Sequence, residues 1–314
     1  MSAARVAIDA PLKPGSGPRL VADAVALATR LPDLVLAARK VALTAMHGLH
    51  GRRRAGPGED FWQYRRYTSG ENAAAIDWRR SGRDDHLYVR EREWESAHTV
   101  WLWCDRSASM LVRSELAAAS KRDRAVLLTL ALAEMLVRSG ERVGLLGLTR
   151  PTASRFVLDE FAEALVVAEA RGGSESLPPR LPVARFCEVV VLGDLIDPVP
   201  QLSERLHAIT VQGASAHLVQ VFDPIEETFP FDGRTEFVDP ETGARLLAGR
   251  AELFREDYVR RLAEHRAALR ALAGSLAHSF VLHHTDRPAT EPLLALAGRL
   301  AGHAEVTVAT GSAA

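Results

Sequence analysis

The sequence predicts an α/β protein with a doubly wound, mostly parallel sheet, an N-terminal helical and extended segment, and an inserted β-hairpin. Two observations carry that class. After His98, short apolar and β-branched runs alternate with helix-length amphipathic patterns, and such repetition builds a parallel sheet covered on both faces. Residues 223–249 break the alternation: Asp232-Gly233 and Glu241-Thr242-Gly243 are turn signals between short β-like runs. Composition agrees with a globular chain. Of 314 residues, 47% are hydrophobic and 25% charged, which excludes a disordered or fibrous chain.

The elements follow in order. Residues 1–19 hold Pro11, Pro14, Gly15, Gly17 and Pro18 with no apolar core of a signal peptide, and read as a flexible leader. Residues 20–29 and 34–46 place Leu, Val and Ala at three- and four-residue spacings, the mark of two helices. Residues 51–98 change character, with ten Lys and Arg, nine Asp and Glu, and the aromatics Phe61, Trp62, Tyr64, Tyr67, Trp78 and Trp94. The whole stretch 20–98 is expected to pack on the main domain and is a candidate to lend it an edge strand. The main domain is expected over 99–314. Its strands are predicted at 99–104, 143–148, 187–192, 216–222 and 279–283. Its helices are predicted at 121–139, 159–170, 199–209, 250–276 and 291–300, with Gly140 placed to end the first.

Charge and cysteine usage narrow the function. A formal net charge of −1 removes weight from a general nucleic-acid binder. Two cysteines, Cys104 and Cys187, exclude a disulfide scaffold and point to a reducing, cytoplasmic compartment. They sit on strands expected to be neighbours, where a buried apolar thiol is the simplest role. No run reaches about 18 apolar residues, so no transmembrane helix is expected. The five tryptophans are core candidates, and Trp101 and Trp103 share one face of the first strand.

The chemistry-bearing residues follow the first strand: Asp105-Arg106-Ser107-Ala108-Ser109-Met110. In an open α/β sheet, ligands sit beyond the carboxyl ends of the strands where strand order reverses. A chain leaving a strand there can aim Asp105, Ser107 and Ser109 into one crevice. These are hard oxygen donors, suited to Mg²⁺ or Mn²⁺. Asp194 follows the strand at 187–192 in the same way. In the strand order 3-2-1-4-5-6, strands 1 and 4 flank the switch point, and the two carboxylates converge. Gly172-Gly173-Ser174-Glu175-Ser176 offers a further hydroxyl. Asp and Ser also cap helices, so capping is an alternative that can coexist with metal binding.

Competing motifs are weaker. Ser176 stands where a nucleophile elbow needs its last Gly. Ser107 stands where an aspartyl-phosphate enzyme wants a second carboxylate. No phosphate-binding glycine motif occurs. His283 and His284 are adjacent on a strand and point to opposite faces. Arg52, Arg53, Arg54, Arg65 and Arg66 interleave with aromatics. They could meet nucleic acid, an acidic protein partner or the acids of their own segment; the acidic partner is the binding role assigned to them.

Several blocks taken together resemble a known family. Asp105-x-Ser107-x-Ser109 is similar to the metal-ion-dependent adhesion site of von Willebrand factor A domains. Gly58-Glu59-Asp60-Phe61, Tyr64-Arg65-Arg66-Tyr67, Ile76-Asp77-Trp78, Val221-Phe222-Asp223-Pro224 and Asp239-Pro240-Glu241-Thr242-Gly243 resemble the DUF58 family. The resemblance runs from about Gly51 to Leu300. It implies a von Willebrand A-like, Rossmann-type domain with a Mg²⁺ (or Mn²⁺) site at Asp105, Ser107, Ser109, Ser174 and Asp194. Ser174 stands where that motif has Thr. Glu71 stands where the family has Asp, and Ala74 where it has Arg. The resemblance further implies a non-catalytic partner of MoxR-type AAA+ ATPases that helps activate other proteins; the balanced charge and the lack of a long apolar run add the expectation of no nucleic acid and no membrane insertion. A metal-dependent phosphohydrolase using the same Asp/Ser site is the alternative.

Overall fold

The computed structural model describes residues 6–8, 17–50, 63–67, 76–83, 86–91, 98–172, 175–275 and 278–310. The chain divides into two compact units, one of residues 1–48 with 98–314, the other of residues 49–97.

The larger unit is built on five parallel strands, β4 (Thr99–Cys104), β6 (Arg142–Leu145), β7 (Glu188–Gly193), β8 (Ser215–Phe222) and β11 (Ser279–His284), in the order β11-β8-β7-β4-β6. Numbered along the chain this is 2-1-3-4-5, not the expected 3-2-1-4-5-6. The difference lies at one edge. There β6 meets a single antiparallel bridge, Val143 to Thr152, where a further strand would stand. Counting that bridge restores the expected order, and β4 and β7 flank the reversal either way.

Burial follows the layering. After their first residue, β7 and β8 are buried throughout, as strands covered on both faces must be. β4 alternates, and Trp101 and Trp103 pack half-buried against the core of β7, β8 and the helix α5 (Val199–Thr210). The other covering helices are α3 (Lys121–Arg138), α4 (Val157–Arg171), α7 (Arg255–Ser275) and α8 (Thr290–Thr310). Gly140 takes φ +88° beyond the end of α3, the left-handed conformation that a chain leaving a helix commonly needs.

Several expectations are corrected. Residues 20–46 form one helix, α1 (Gly17–His50), not two. Its buried stripe Ala24, Leu27, Leu31, Ala38, Ala42, Ala45 runs past Pro32, which sits on the exposed face. α1 belongs with the sheet rather than with a separate segment ending at His98: Arg30 pairs with Asp123 of α3 at 2.7 Å, and Gly48 lies beside Leu294 of α8. Within the stretch read as a leader, β1 (Val6–Ile8) pairs antiparallel with β5 (Val112–Ser114). No strand described between residues 20 and 98 joins the five-stranded sheet: β2 (Gln63–Arg66) and β3 (Tyr88–Glu91) pair with each other. In the same smaller unit Asp77 caps the short helix α2 (Trp78–Ser81) by accepting from the Arg80 amide. Trp78, a core candidate by sequence, is 64% exposed there. Trp62 and Trp94 lie outside the described residues.

Residues 223–249 begin with a helical turn, α6 (Pro224–Thr228), before the hairpin of β9 (Thr235–Val238) and β10 (Arg245–Ala248). Asp223 caps α6 reciprocally with Glu226. The hairpin turns at Asp239–Ala244, and Asp232-Gly233 lies before it.

If α1 is part of the sheet unit's core, Leu27→Ala should cost that unit about 2–4 kcal/mol in urea denaturation. Leu36→Ala, on the exposed face, should change it by less than about 0.5 kcal/mol.

Candidate functional site

The site forms where β4 and β7 end side by side. The Asp105 amide donates to Leu192 O at 2.8 Å, extending the β4–β7 ladder by one bond. This carries Asp105 beside Gly193. A Cβ on Gly193 would lie 2.8 Å from the Asp105 Cβ, so the two strands approach this closely only because residue 193 has no side chain. Asp194 follows, and Leu195 then takes φ +52°, unusual for a residue with a Cβ. Burial of Leu195 and a 2.6 Å bond from His265 Nε2 to its carbonyl hold that turn.

Asp105, Ser107, Ser109 and Asp194 are all buried and come together. The Ser107 amide donates to Asp105 Oδ1 at 2.8 Å. Ser107 Oγ and Ser109 Oγ are 3.2 Å apart, and Ser109 Oγ donates to Asp194 Oδ2 at 2.8 Å. The other Asp105 oxygen, Oδ2, is buried with no hydrogen-bond partner. Ser174, the fifth residue assigned by sequence, lies outside the described residues, as do Gly173, Glu71 and Ala74. Ser176 from the same loop donates to Asp197 Oδ1 at 3.0 Å, three residues beyond Asp194.

The sequence reading missed the site's built-in cation. Lys121, at the start of α3, is fully buried. Its ammonium donates to Asp194 Oδ2 at 3.0 Å and to Glu226 Oε1 at 2.7 Å. Burial pushes this amine down, but the Asp194 and Glu226 carboxylates outweigh it and hold it charged. The ring of Phe222 lies 5.6 Å from the ammonium and 4.7 Å from the Arg266 guanidinium. Arg266 grips Glu227 through two 2.6 Å bonds and donates to Gln220 Oε1, and Gln220 Nε2 in turn donates to Asp194 O.

A sequence signal for Lys121 exists. Lys121 and Arg122 both stand in the first turn of α3, where the helix dipole disfavours cations. Each is compensated by an acid from elsewhere, Arg122 by Glu169 at 3.0 Å.

The electrostatics leave negative charge in excess. Asp105, Asp194 and Glu226 face a single ammonium. Burial, and then repulsion from Asp194, push Asp105 up to about 8, and burial also pushes Glu226 up. The crevice therefore favours further positive charge, such as a proton on Asp105 or a cation beside it. The donor set of two carboxylates and two hydroxyls suits a hard divalent ion. Among the described residues no group of three His, Cys, Asp or Glu side chains is arranged to hold a metal. A bound ion would thus rest on the hydroxyls as much as on the acids.

The other candidates are placed elsewhere. Arg65 and Arg66 lie on β2, with Arg66 exposed, while Arg52, Arg53 and Arg54 fall outside the described residues. Cys104 and Cys187 are free and buried, near opposite ends of the adjacent strands β4 and β7. Burial pushes the Cys104 thiol up to about 12, so it is inert near neutrality. His283 is buried while His284 donates to Glu227 at 3.1 Å, on opposite faces as their spacing requires. No described helix is long and apolar enough to cross a membrane.

The family model described as "Protein of unknown function DUF58" matches residues 63–268. The chain belongs to the DUF58 family. Among relatives, "Uncharacterized protein Rv1480" of Mycobacterium tuberculosis (strain H37Rv) is 25% identical over 298 residues, 87% of this chain and 93% of that protein. "Uncharacterized protein Mb1516" of Mycobacterium bovis matches to the same extent. Among solved structures, the conserved hypothetical protein BatB from Bacteroides thetaiotaomicron aligns at 12% identity with a TM-score of 0.36, over 66% of this chain and 100% of that one. The DUF58 match spans β4, β7 and the whole Asp105–Asp194 crevice.

The Asp105 charge gives this DUF58 protein a specific pH response. Its folded-state value stands above the unfolded one, so its contribution is complete below about pH 4 and is lost as pH rises toward 8. In EDTA, Asp105→Asn should therefore gain on wild type between pH 5 and pH 8, by about 2 kcal/mol or more at the upper end. Denaturant melts at the two pH values check this; equal differences at both would contradict it.

Proposed function

We propose that this DUF58 protein is a non-catalytic, metal-dependent protein-interaction module with a von Willebrand A-like main domain. It acts with a MoxR-type AAA+ ATPase in the chaperone-like activation or assembly of other proteins. The observation that carries this reading is the convergence of Asp105, Ser107, Ser109 and Asp194 at the β4–β7 reversal, with Asp105 Oδ2 buried and unpartnered.

Those four residues would hold Mg²⁺ or Mn²⁺, and the ion would supply a fixed positive charge able to accept an outside carboxylate. The chain's own residues prepare this. Lys121 already neutralises part of Asp194, so less of the crevice's negative charge would fall on the ion. The Ser107 and Ser109 hydroxyls are neutral donors and leave the ion's charge undiminished. Ser109 Oγ is committed to Asp194 rather than to a proton-accepting His. That supports binding over nucleophilic chemistry. A partner's Asp or Glu would complete the site through a charge-assisted, directional contact. The sheet order supports the doubly wound reading.

A pulldown from native lysate tests the proposal, with Mg²⁺, with EDTA, and with Asp105→Ala in Mg²⁺. The expected result is an AAA+ ATPase, identified by mass spectrometry, retained only by wild type with Mg²⁺ and reduced at least tenfold in the other two. Equal retention in all three would remove the ion from the contact. Phosphoester turnover that depends on Asp105 would replace binding with hydrolysis.

A further inference from the structure

The hairpin places a carboxylate of this chain at the mouth of the crevice. Glu241 Oε1, in the turn between β9 and β10, accepts from the Ser109 amide at 2.8 Å. Ser109 is also the residue whose hydroxyl donates to Asp194. The turn that presents Glu241 is built for it. Asp239 Oδ1 accepts from the Glu241 amide at 2.9 Å, Thr242 Oγ1 donates to Asp239 Oδ2, and the Gly243 amide closes back on Asp239 O at 2.8 Å. Gly243 takes φ +72°, which a residue with a side chain adopts only at a cost.

Behind Glu241 lies a cavity of about 440 Å³, lined by Ser109, Ile196, Ile225, Phe229, Phe237 and Tyr258 among others. Phe229, Phe231, Phe237 and Tyr258 form one aromatic cluster, with Phe229 centred 4.8 Å from Tyr258 and 5.5 Å from Phe237. This volume falls in the usual range of ligand pockets, about 300–1,000 Å³. An aromatic-walled chamber thus opens beside a carboxylate-binding amide; Asp197, Glu226 and Asp239 also line it, with Glu226 paired to Lys121 behind. Its rim is already met by a peptide segment, the hairpin's own Val238-Asp239-Pro240-Glu241.

We propose that this cavity and the Ser109 amide together recognise a partner's peptide segment with an acidic side chain next to an apolar one, and that Glu241 holds the acidic position in the free protein. This deepens the interaction reading above and rests on it. The apolar side chain enters the aromatic chamber, and the acid replaces Glu241 at Ser109. Glu241 is itself exposed and its turn is held by its own internal bonds, so it can be displaced without disturbing the sheet. The resident carboxylate sets the threshold a partner must exceed.

The test is an NMR titration of the full chain with the hexapeptide Ser-Gly-Glu-Phe-Gly-Ser, following the Ser109 amide resonance. The controls replace Glu by Gln or Phe by Ser in that peptide. Glu241→Gln keeps the side chain's size and removes the charge. The expected result is that Glu241→Gln protein binds the Glu-Phe peptide about tenfold more tightly than wild type, with Ser109 shifting most, and binds each control peptide at least about tenfold more weakly. Equal affinity of wild type and Glu241→Gln, or equal binding of the three peptides, would overturn the site. If that occurs while the ATPase is still captured only with Mg²⁺, the interaction reading stands without it. If the tenfold gain appears but is unchanged in EDTA, this site stands and the ion's part in the interaction reading falls.

Discussion

A buried ammonium sets the terms on which the carboxyl edge of this sheet works. Lys121 has no access to water and lies between Asp194 and Glu226. A lysine so placed is tolerable only if its charge is matched, and removing either acid would leave the other charges badly paired in a dry environment. The pair joins three separate elements, α3, the end of β7 and α6. The rest of the edge is arranged around keeping it satisfied.

That arrangement is visible in the supporting bonds. Asp223 and Glu226 cap α6 reciprocally, which fixes the Glu226 backbone while its other oxygen meets Lys121. Asp223 also accepts from the Ser114 amide at 3.0 Å, tying β5 to the end of β8. Arg266, Glu227 and Gln220 form a second charged group that reaches Asp194 through its carbonyl. The crevice is therefore fixed from two sides before any ligand arrives. Of Asp105, Asp194 and Glu226, it is Asp105 that has a buried oxygen without a partner, and this is why the proposed ion belongs there and not at Glu226.

Much of this was legible in the sequence. Strands read as strands because β-branched apolar runs of four to eight residues are bounded by Gly, Pro or charged residues, and 99–104 matches to the residue. Asp105 and Asp194 were found because each directly follows such a run. What the sequence hid was long-range. Lys121 shows locally only as a cation in the first turn of a helix, since its role depends on a side chain crossing to residues 73 and 105 positions away. Glu241 lies 132 residues from Ser109 and reads locally as a turn residue. Pro32 lies between the patterns at 20–29 and 34–46, inside the single helix α1. Its ring falls on the exposed face, where the buried stripe is not interrupted. The sheet order was read correctly around β4 and β7 and differed at the far edge, where one bridge at Thr152 replaces a strand.

The smaller unit is held by the β2–β3 ladder, the Asp77 cap and the Arg80 guanidinium 4.7 Å from the Tyr88 ring centre. Asp77 and Arg80 thus have structural uses, and partner binding through Arg65 and Arg66 would be an added role. The central claim concerns the other unit: that the uncompensated charge beside Asp105 is met by a divalent ion. Crystals grown with Mn²⁺ and measured for anomalous scattering test it most directly. The account predicts one strong peak bounded by Asp105, Ser107, Ser109 and Asp194, absent in Asp105→Ala crystals. A peak that stays in the variant, or no peak with Lys121 as the only cation in the crevice, would contradict it.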